Sequence, residues 1–184
     1  MTGRLTGKKI AIIIADGFEQ VEMTQPRAAL EQEGAQTYII SPQTGHVRAW
    51  NLRDWGDSFP VDVSLDEAVA DNYDALLVPG GTLNPDQLRT NARALQFTGS
   101  FFAVDKPVAS ICHGLWTLVE ADVVKGRTLT SWAALQTDIR NAGGLWVNKE
   151  VVRDKNLVTS RMPADIPAFT IQMIDLFATW QQKH

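Results

Sequence analysis

A chain of 184 residues, 45% hydrophobic and 21% charged, is long enough for one α/β domain with a buried sheet, expected to span residues 1–184. Its formal net charge of -4 offers no footprint for nucleic acid and no attraction to acidic membranes. The opening MTGRLTGKK is short and polar, and no apolar run approaches the roughly 20 residues that cross a bilayer, so a cytoplasmic protein is expected.

Lys9 to Ala15 (KIAIIIA) is a continuous β-branched run of the kind found in parallel strands covered on both faces, closed by Asp16-Gly17. A helix is predicted over Pro26 to Glu33, with Gly34 as its stop, and Thr37 to Ser41 (TYIIS) returns as a strand. Between Arg48 and Val63, two short strand candidates, VRAW and PVDV, flank the turn-rich RDWGDS; this is a peripheral β-hairpin excursion from the sheet. Tyr73 to Pro79 (YDALLVP) is a buried strand ending at Gly80-Gly81, and Asn84-Pro85 suits an N-cap and first helical position. That helix runs toward Ala103 with a break near Thr90.

Pro107 to Cys112 (PVASIC) is a short strand, and His113-Gly114 turns at once into Leu115 to Val123, which has helical spacing. Thr128 to Trp132 is a further strand, and Ala133 to Asn141 a helix stopped by Gly143-Gly144. Trp146 to Val158 forms a hairpin turning at Asp154-Lys155-Asn156, and Pro163 to Gln181 is the closing helix. The alternation argues for an open, mostly parallel, doubly wound sheet with helices on both faces, where sites form beyond the strands' C-terminal ends.

The single cysteine excludes an internal disulfide, leaving Cys112 as inert core or as a working thiol. At the last strand position before a sharp turn, a side chain points into the crevice. The helix that follows adds positive potential there, and both effects favour thiolate. Glu22, Gly80-Gly81 and Cys112-His113 all fall at strand ends that such a crevice gathers. Backbone N–H groups of His113 and of Gly80-Gly81 can bind a developing oxyanion, with Gly114 completing the turn. Adjacent Cys112 and His113 without a second pair make a poor zinc site, so no metal and no cofactor is expected. Trp116 and Trp132 flank the motif, as pocket wall or as core. His46 and His184 carry no assigned role.

These residues resemble the ThiJ/PfpI superfamily, the PfpI-type intracellular protease and protein deglycase family, which shares the class I glutamine amidotransferase-like fold. The likeness runs through ADGFEQVE, VPGG, NPDQLR, ASICHG, TSW, NAGG and VTSRMPADIPAF, which are specific together and weak singly. It implies Cys112 as nucleophile with His113 beside it, Glu22 as the acid hydrogen-bonded to the thiol, and Asp86 as the acid that orients the histidine from a neighbouring subunit. Without that role, Glu22 and Asp86 are first-turn acids interacting with helix dipoles. His113 follows the nucleophile directly, so its ring is expected to point away from the sulfur within its own chain. Two positions depart from the pattern: Leu115 follows CHG and Ala133 follows TSW, where the family commonly has proline.

Three functions follow as expectations. One is a glutathione-independent glyoxalase or deglycase acting on a small carbonyl substrate or a glycated protein through a Cys112 thiolate. Another is a PfpI-type cysteine peptidase, with His113 and Asp86 supplying the acid. The third is a redox sensor or chaperone that signals through oxidised Cys112. A homodimer or higher oligomer accompanies the implied role of Asp86.

Overall fold

The computed structural model describes residues 3–180. In chain order these form β1 (Lys9–Ile13), β2 (Phe18–Glu19), α1 (Gln20–Gln32), β3 (Gln36–Ser41), β4 (His46–Asn51), β5 (Asp54–Pro60), β6 (Val63–Ser64) and β7 (Ala75–Val78). They continue as α2 (Leu83–Arg89), α3 (Ala92–Ala103), β8 (Val108–Ile111), α4 (Leu115–Glu120), β9 (Thr128–Leu129), α5 (Gln136–Asn141), β10 (Leu145–Trp146), β11 (Val151–Asp154), β12 (Leu157–Ser160) and α6 (Ile166–Thr179). Seven strands make one sheet in the order β11-β12-β8-β7-β1-β3-β6. Only the β11/β12 hairpin at its edge runs antiparallel.

The apolar run of β1 shows why this sheet is covered twice. Ile10, Ile12 and Ile14 point into one core, with Met23 and Leu30 of α1 and Phe169, Met173 and Phe177 of α6. The alternate residues Ala11, Ile13 and Ala15 point into a second core, with Leu88, Phe97, Phe101, Leu115 and Leu118 of α2, α3 and α4. A period-2 strand with both faces apolar can be satisfied only between two helical layers. Each fully buried Ile or Phe removes apolar surface worth about 1.5–3 kcal/mol. The fold is thus the doubly wound, mostly parallel α/β sheet expected, and no described helix is long and apolar enough to cross a membrane.

Several boundaries differ from those predicted. Helix α1 starts at Gln20 rather than Pro26, which lies buried inside it. Proline suggests a helix start because it lacks an N–H, but burial of Glu22 and Met23 draws the preceding turn into the same helix. Helix α2 opens at Leu83, with Thr82 before it and Asn84 already inside, so Asn84 is no N-cap. RDWGDS is largely strand: β4 and β5 pair antiparallel, with Trp50 opposite Trp55, and Leu52 takes the positive φ of the turn. The two indoles meet edge to face at 5.6 Å and Arg48 lies over Trp55, cross-strand contacts that outweigh the turn propensity of Gly56 and Asp57. This hairpin joins β2 in a separate three-stranded sheet, and PVDV is no strand of its own: Pro60 ends β5 and Val63 opens β6.

Cys112 falls outside β8, in a 3-10 turn over Cys112–Gly114, and α4 ends at Glu120 instead of Val123. The segment predicted as a strand from Thr128 to Trp132 keeps only Thr128 and Leu129, which pair with β10 apart from the main sheet. The closing helix stops at Thr179, and Gln181 lies outside the described residues.

Two glycines test this packing. A Cβ on Gly114 would sit 2.6 Å from the Val78 carbonyl oxygen and 2.8 Å from that of Pro79, backbone atoms that cannot swing away. One on Gly99, inside α3, meets nothing within 4 Å. Urea unfolding is expected to show Gly114→Ala destabilised by about 1–3 kcal/mol and Gly99→Ala unchanged or stabilised by up to about 1 kcal/mol; equal effects would contradict this packing.

Candidate active site

Strand β1 pairs with β7 only as far as Ile12 opposite Leu77. The chain has by then run outward through β3 and β6 and returned on the other side of β1. Beyond such a switch point neighbouring strands part and leave a crevice at their C-terminal ends. Gly80-Gly81, following β7, crosses that opening. Gly81 has φ +82°, and a side chain there would collide with the Glu19 N and Gly17 O atoms. Only glycine lets the two segments pass so closely.

Cys112 follows β8 at the same end of the sheet, with φ +61°. A non-glycine residue held in this region costs about 1–3 kcal/mol and persists only where surroundings enforce it. Here the Cys112 carbonyl accepts from Trp132 N–H at 3.3 Å. Gly114 packs on the Val78 and Pro79 carbonyls at the end of β7, which lets the turn close without a side chain in the way. The result is a strand-to-helix elbow with its cysteine 7% exposed at the crevice floor.

Glu22 reaches this floor from the first turn of α1 and is completely buried. Its Oε2 accepts from Gly80 N–H at 2.9 Å, and a Cβ on Gly80 would clash with both Glu22 Oε2 and Cys112 Cβ. Glu22 Oε1 has no hydrogen-bond partner, and the Cys112 side chain lies close enough to bear on the titration of this carboxyl. Burial pushes the Glu22 carboxyl up to about 8, opposed by the neighbouring Cys112 side chain, assisted by the Glu19 carboxylate and opposed also by the bond from Gly80. Glu22 therefore keeps its proton at neutral pH.

The thiol differs from expectation. Burial, followed by the charge Glu22 carries when ionised, pushes the Cys112 thiol up rather than toward thiolate. The N–H groups of His113 and Gly81, which face the sulfur, pull the other way but do not prevail. The expected help from a helix terminus is weak because α4 has only six residues and begins after an intervening 3-10 turn. Glu22 and Cys112 titrate as a pair, and two negative charges cannot coexist in this dry floor. With Glu22 neutral, its like-charge opposition to the thiolate disappears.

His113 does not turn away: its Nδ1 lies 3.3 Å from Cys112 Sγ. Burial holds the imidazole below its ordinary value, so it is neutral and able to accept the thiol proton. The ring stacks on Trp132, with centroids 5.8 Å apart and planes at 25°, and meets the edge of Trp116 at 5.1 Å. Trp116 is itself fixed by its indole N–H to Asp138 at 2.9 Å and by Arg89 over its ring. Both tryptophans therefore first wall the imidazole, and Trp132, 39% exposed, also offers surface to the opening.

Of the remaining candidates, Gly80 has its N–H committed to Glu22, which leaves Gly81 and His113 as the backbone donors near the sulfur. Asp86 is exposed in the first turn of α2, and among the described residues no hydrogen bond joins it to His113. Sequence reasoning missed Glu19, whose charge acts on Glu22, and misplaced Asn84. Glu19 was visible only as the acid three residues before Glu22 in FEQVE, a spacing that faces both along one helical side.

The raised Glu22 carboxyl makes stability depend on pH. Between about pH 4.5 and about 8 the folded chain holds a proton there that the unfolded chain has released, so stability falls as pH rises through that window. Glu22→Gln keeps an oxygen for Gly80 N–H and removes the titration. Its melting temperature relative to wild type should therefore rise from pH 5 to pH 7.5; a constant difference would mean that Glu22 is ionised throughout.

Residues 8–176 match the model of the DJ-1/PfpI family. The chain is 40% identical over 168 residues to a deglycase of Thermococcus kodakarensis, covering 91% of this chain and 98% of that protein. It is 41% identical over 170 residues to protein/nucleic acid deglycase 2 of Escherichia coli, covering 92% and 97%, respectively. General stress protein 18 of Bacillus subtilis is 40% identical over 171 residues, covering 92% and 98%. Among solved structures, Drosophila melanogaster DJ-1beta superposes with a TM-score of 0.84 at 25% identity, over 95% of this chain and 92% of that one. A two-domain protein of Anabaena variabilis with DJ-1/ThiJ/PfpI-like and ferritin-like domains gives 0.86 at 32% identity; the match covers 91% of this chain and 47% of that one. A family match spanning the strand ends that carry Glu22, Gly80-Gly81 and Cys112-His113 places this chain in the DJ-1/PfpI family.

Proposed function

We propose that the protein is a deglycase that acts on reactive carbonyls and their adducts with amines and thiols, with glyoxalase turnover of free methylglyoxal by the same steps. The observation that carries this reading is the convergence of a neutral acid, Glu22, and a neutral base, His113, on one thiol at a crevice floor. Relatives named deglycases at 40% and 41% identity support it.

In the first step His113 Nδ1 takes the thiol proton as sulfur bonds to the aldehyde carbon; the carbonyl π bond opens onto oxygen and the proton follows, giving a hemithioacetal. The N–H groups of Gly81 and His113 face the developing oxyanion. A proton then leaves the former aldehyde carbon and another is delivered to the adjacent ketone carbon, by His113 or Glu22, while the hydroxyl proton on the first carbon passes to the oxygen of the second. This converts the adduct to a 2-hydroxyacyl thioester without net oxidation. Water cleaves the thioester, releasing the hydroxy acid and restoring the thiol; with an adduct as substrate, its C–N or C–S bond breaks first, the hydroxyl proton going to the departing amine or thiol as the carbonyl re-forms, and sulfur then attacks as above. A cysteine only 7% exposed suits a small aldehyde better than an extended polypeptide, which favours this chemistry over the peptidase reading.

We extend the reading to Asp86. The His113 ring presents Nδ1 to sulfur, so an acid orienting its far nitrogen must come from elsewhere, and an exposed Asp86 on a second copy of the chain is the one the family resemblance implies. The assembly proposed is a cytoplasmic homodimer or higher oligomer.

Cys112→Ser is expected to lower turnover of methylglyoxal by at least about a thousandfold while changing unfolding free energy by less than about 1 kcal/mol. Retained turnover would move the chemistry elsewhere, and Cys112-dependent cleavage of denatured casein would favour the peptidase. Mixing inactive Cys112→Ala and Asp86→Ala chains should restore part of the activity as intact cysteines meet intact aspartates across an interface. A monomeric solution mass would remove the role of Asp86 in a second copy.

A further inference from the structure

Asn84 is fully buried near the start of α2, where a helical asparagine ordinarily faces water or caps the turn. Its Oδ1 accepts from Ala15 N–H at 2.7 Å, just past the end of β1. Its Nδ2 donates to the carbonyls of Pro79 at 3.1 Å and Gly80 at 3.0 Å, just past the end of β7. The amide orientation is fixed by its partners, since a backbone N–H can only donate and two carbonyls can only accept. These three bonds span the point where the β1/β7 ladder has stopped at Ile12 and Leu77. One side chain thus stands in for backbone pairing at the mouth of the crevice.

What it holds is the turn that touches both reacting groups. Gly80 gives its N–H to Glu22 Oε2 and its carbonyl also accepts from Glu19 N–H at 3.2 Å. Gly80 has no room for a side chain against Cys112 Cβ, and the adjoining Gly81 N–H lies near enough to the sulfur to favour its thiolate. A shift of a few tenths of an ångström in this turn changes both contacts together.

We propose that Asn84 is a positioning residue whose buried carboxamide clamps the Gly80-Gly81 turn to the end of β1 and so holds two backbone N–H groups on Glu22 and Cys112. The proposal rests on the reading of Cys112 as the reactive thiol. Without the clamp, the turn relaxes away from both groups; loss of the Gly81 N–H disfavours thiolate, and loss of the Gly80 N–H disfavours ionised Glu22. Glu22 already holds its proton at neutral pH, so the first change governs there and slows alkylation of the thiol.

The test is the rate of Cys112 alkylation by iodoacetamide against pH, alongside kcat and KM for methylglyoxal, in the full chain carrying Asn84→Ala or Asn84→Asp. Asn84→Ala is expected to be alkylated about tenfold more slowly than wild type at neutral pH. Its kcat should fall while KM changes less than about threefold, because the displaced Gly81 N–H serves the charge that develops on oxygen during the reaction more than the bound ground state. Asn84→Asp keeps the acceptor for Ala15 but turns a carboxylate on two carbonyls; it should resemble Asn84→Ala at neutral pH and recover on acidification, as a protonated carboxyl regains one donor. An alkylation profile superimposable on wild type in folded Asn84→Ala overturns the proposal, even where turnover depends on Cys112. A shifted profile in a protein with no carbonyl turnover would instead uphold the clamp and sink the deglycase reading. Should both variants fail to fold, hydrogen exchange in the wild-type protein decides: Ala15 and Gly80 amides opening together support the clamp, and Gly80 exchanging more than about tenfold faster than Ala15 overturns it.

Discussion

Two parallel strands that must separate create both the opening and the dryness of this site. β1 and β7 share a ladder only to Ile12 and Leu77, because the chain reverses its winding direction between them. The backbone groups released there need partners, and the molecule supplies Asn84 for Ala15, Pro79 and Gly80, and Glu22 for the Gly80 N–H. A buried carboxyl is thus recruited to complete hydrogen bonding at a gap in the sheet. Its protonation state, the position of the Gly80-Gly81 turn and the environment of the sulfur all follow from that arrangement.

The arrangement is costly in place and is held by what lies around it. Cys112 sits at positive φ, a strain of about 1–3 kcal/mol. Glu22 is fully buried, and Ser110 and Thr117, on either side of the elbow in sequence, each bury a hydroxyl without a partner. The apolar layers on both faces of the sheet oppose this. Ile10 to Ile14 are completely buried, as are Phe101, Phe169 and, nearly so, Phe177. Several side chains each worth about 1.5–3 kcal/mol offset a few local penalties confined to one end of the sheet. Strain concentrated at strand ends and stability spread through strand middles is a division that the doubly wound fold permits.

Much of this was legible in the sequence, for identifiable reasons. KIAIIIA announces a strand covered on both faces because the period-2 rule leaves no polar face, and ASICHG announces the elbow because a buried strand ending in Cys-His-Gly needs a sharp exit. The groups gathered at the crevice followed from the strand ends alone. What was not legible depends on distance rather than order. Asn84 beside Pro85 carries the local signal of a cap, and only the meeting of β1 with β7 turns it inward. Trp50 and Trp55 lie in a stretch rich in turn residues, and their mutual packing is invisible until the hairpin is formed. The direction of the His113 ring depends on Trp116 and Trp132, which arrive from different elements, and the raised thiol depends on burial that no single segment reveals.

The same dryness acts on all three titratable groups, and it favours the neutral form of each. It raises the acids Glu22 and Cys112 and lowers the base His113, so the resting trio carries no net charge. A permanent thiolate is then unnecessary to the proposed chemistry. The proton needs to leave sulfur only when an aldehyde is in place, because the negative charge passes onto an oxygen that the Gly81 and His113 N–H groups can meet, while the protonated Glu22 adds no repulsion. On this reading the burial of Glu22 does two things at once: it completes the hydrogen bonding of the Gly80 turn, and it keeps the carboxyl neutral so that the neighbouring sulfur can take up charge during the reaction.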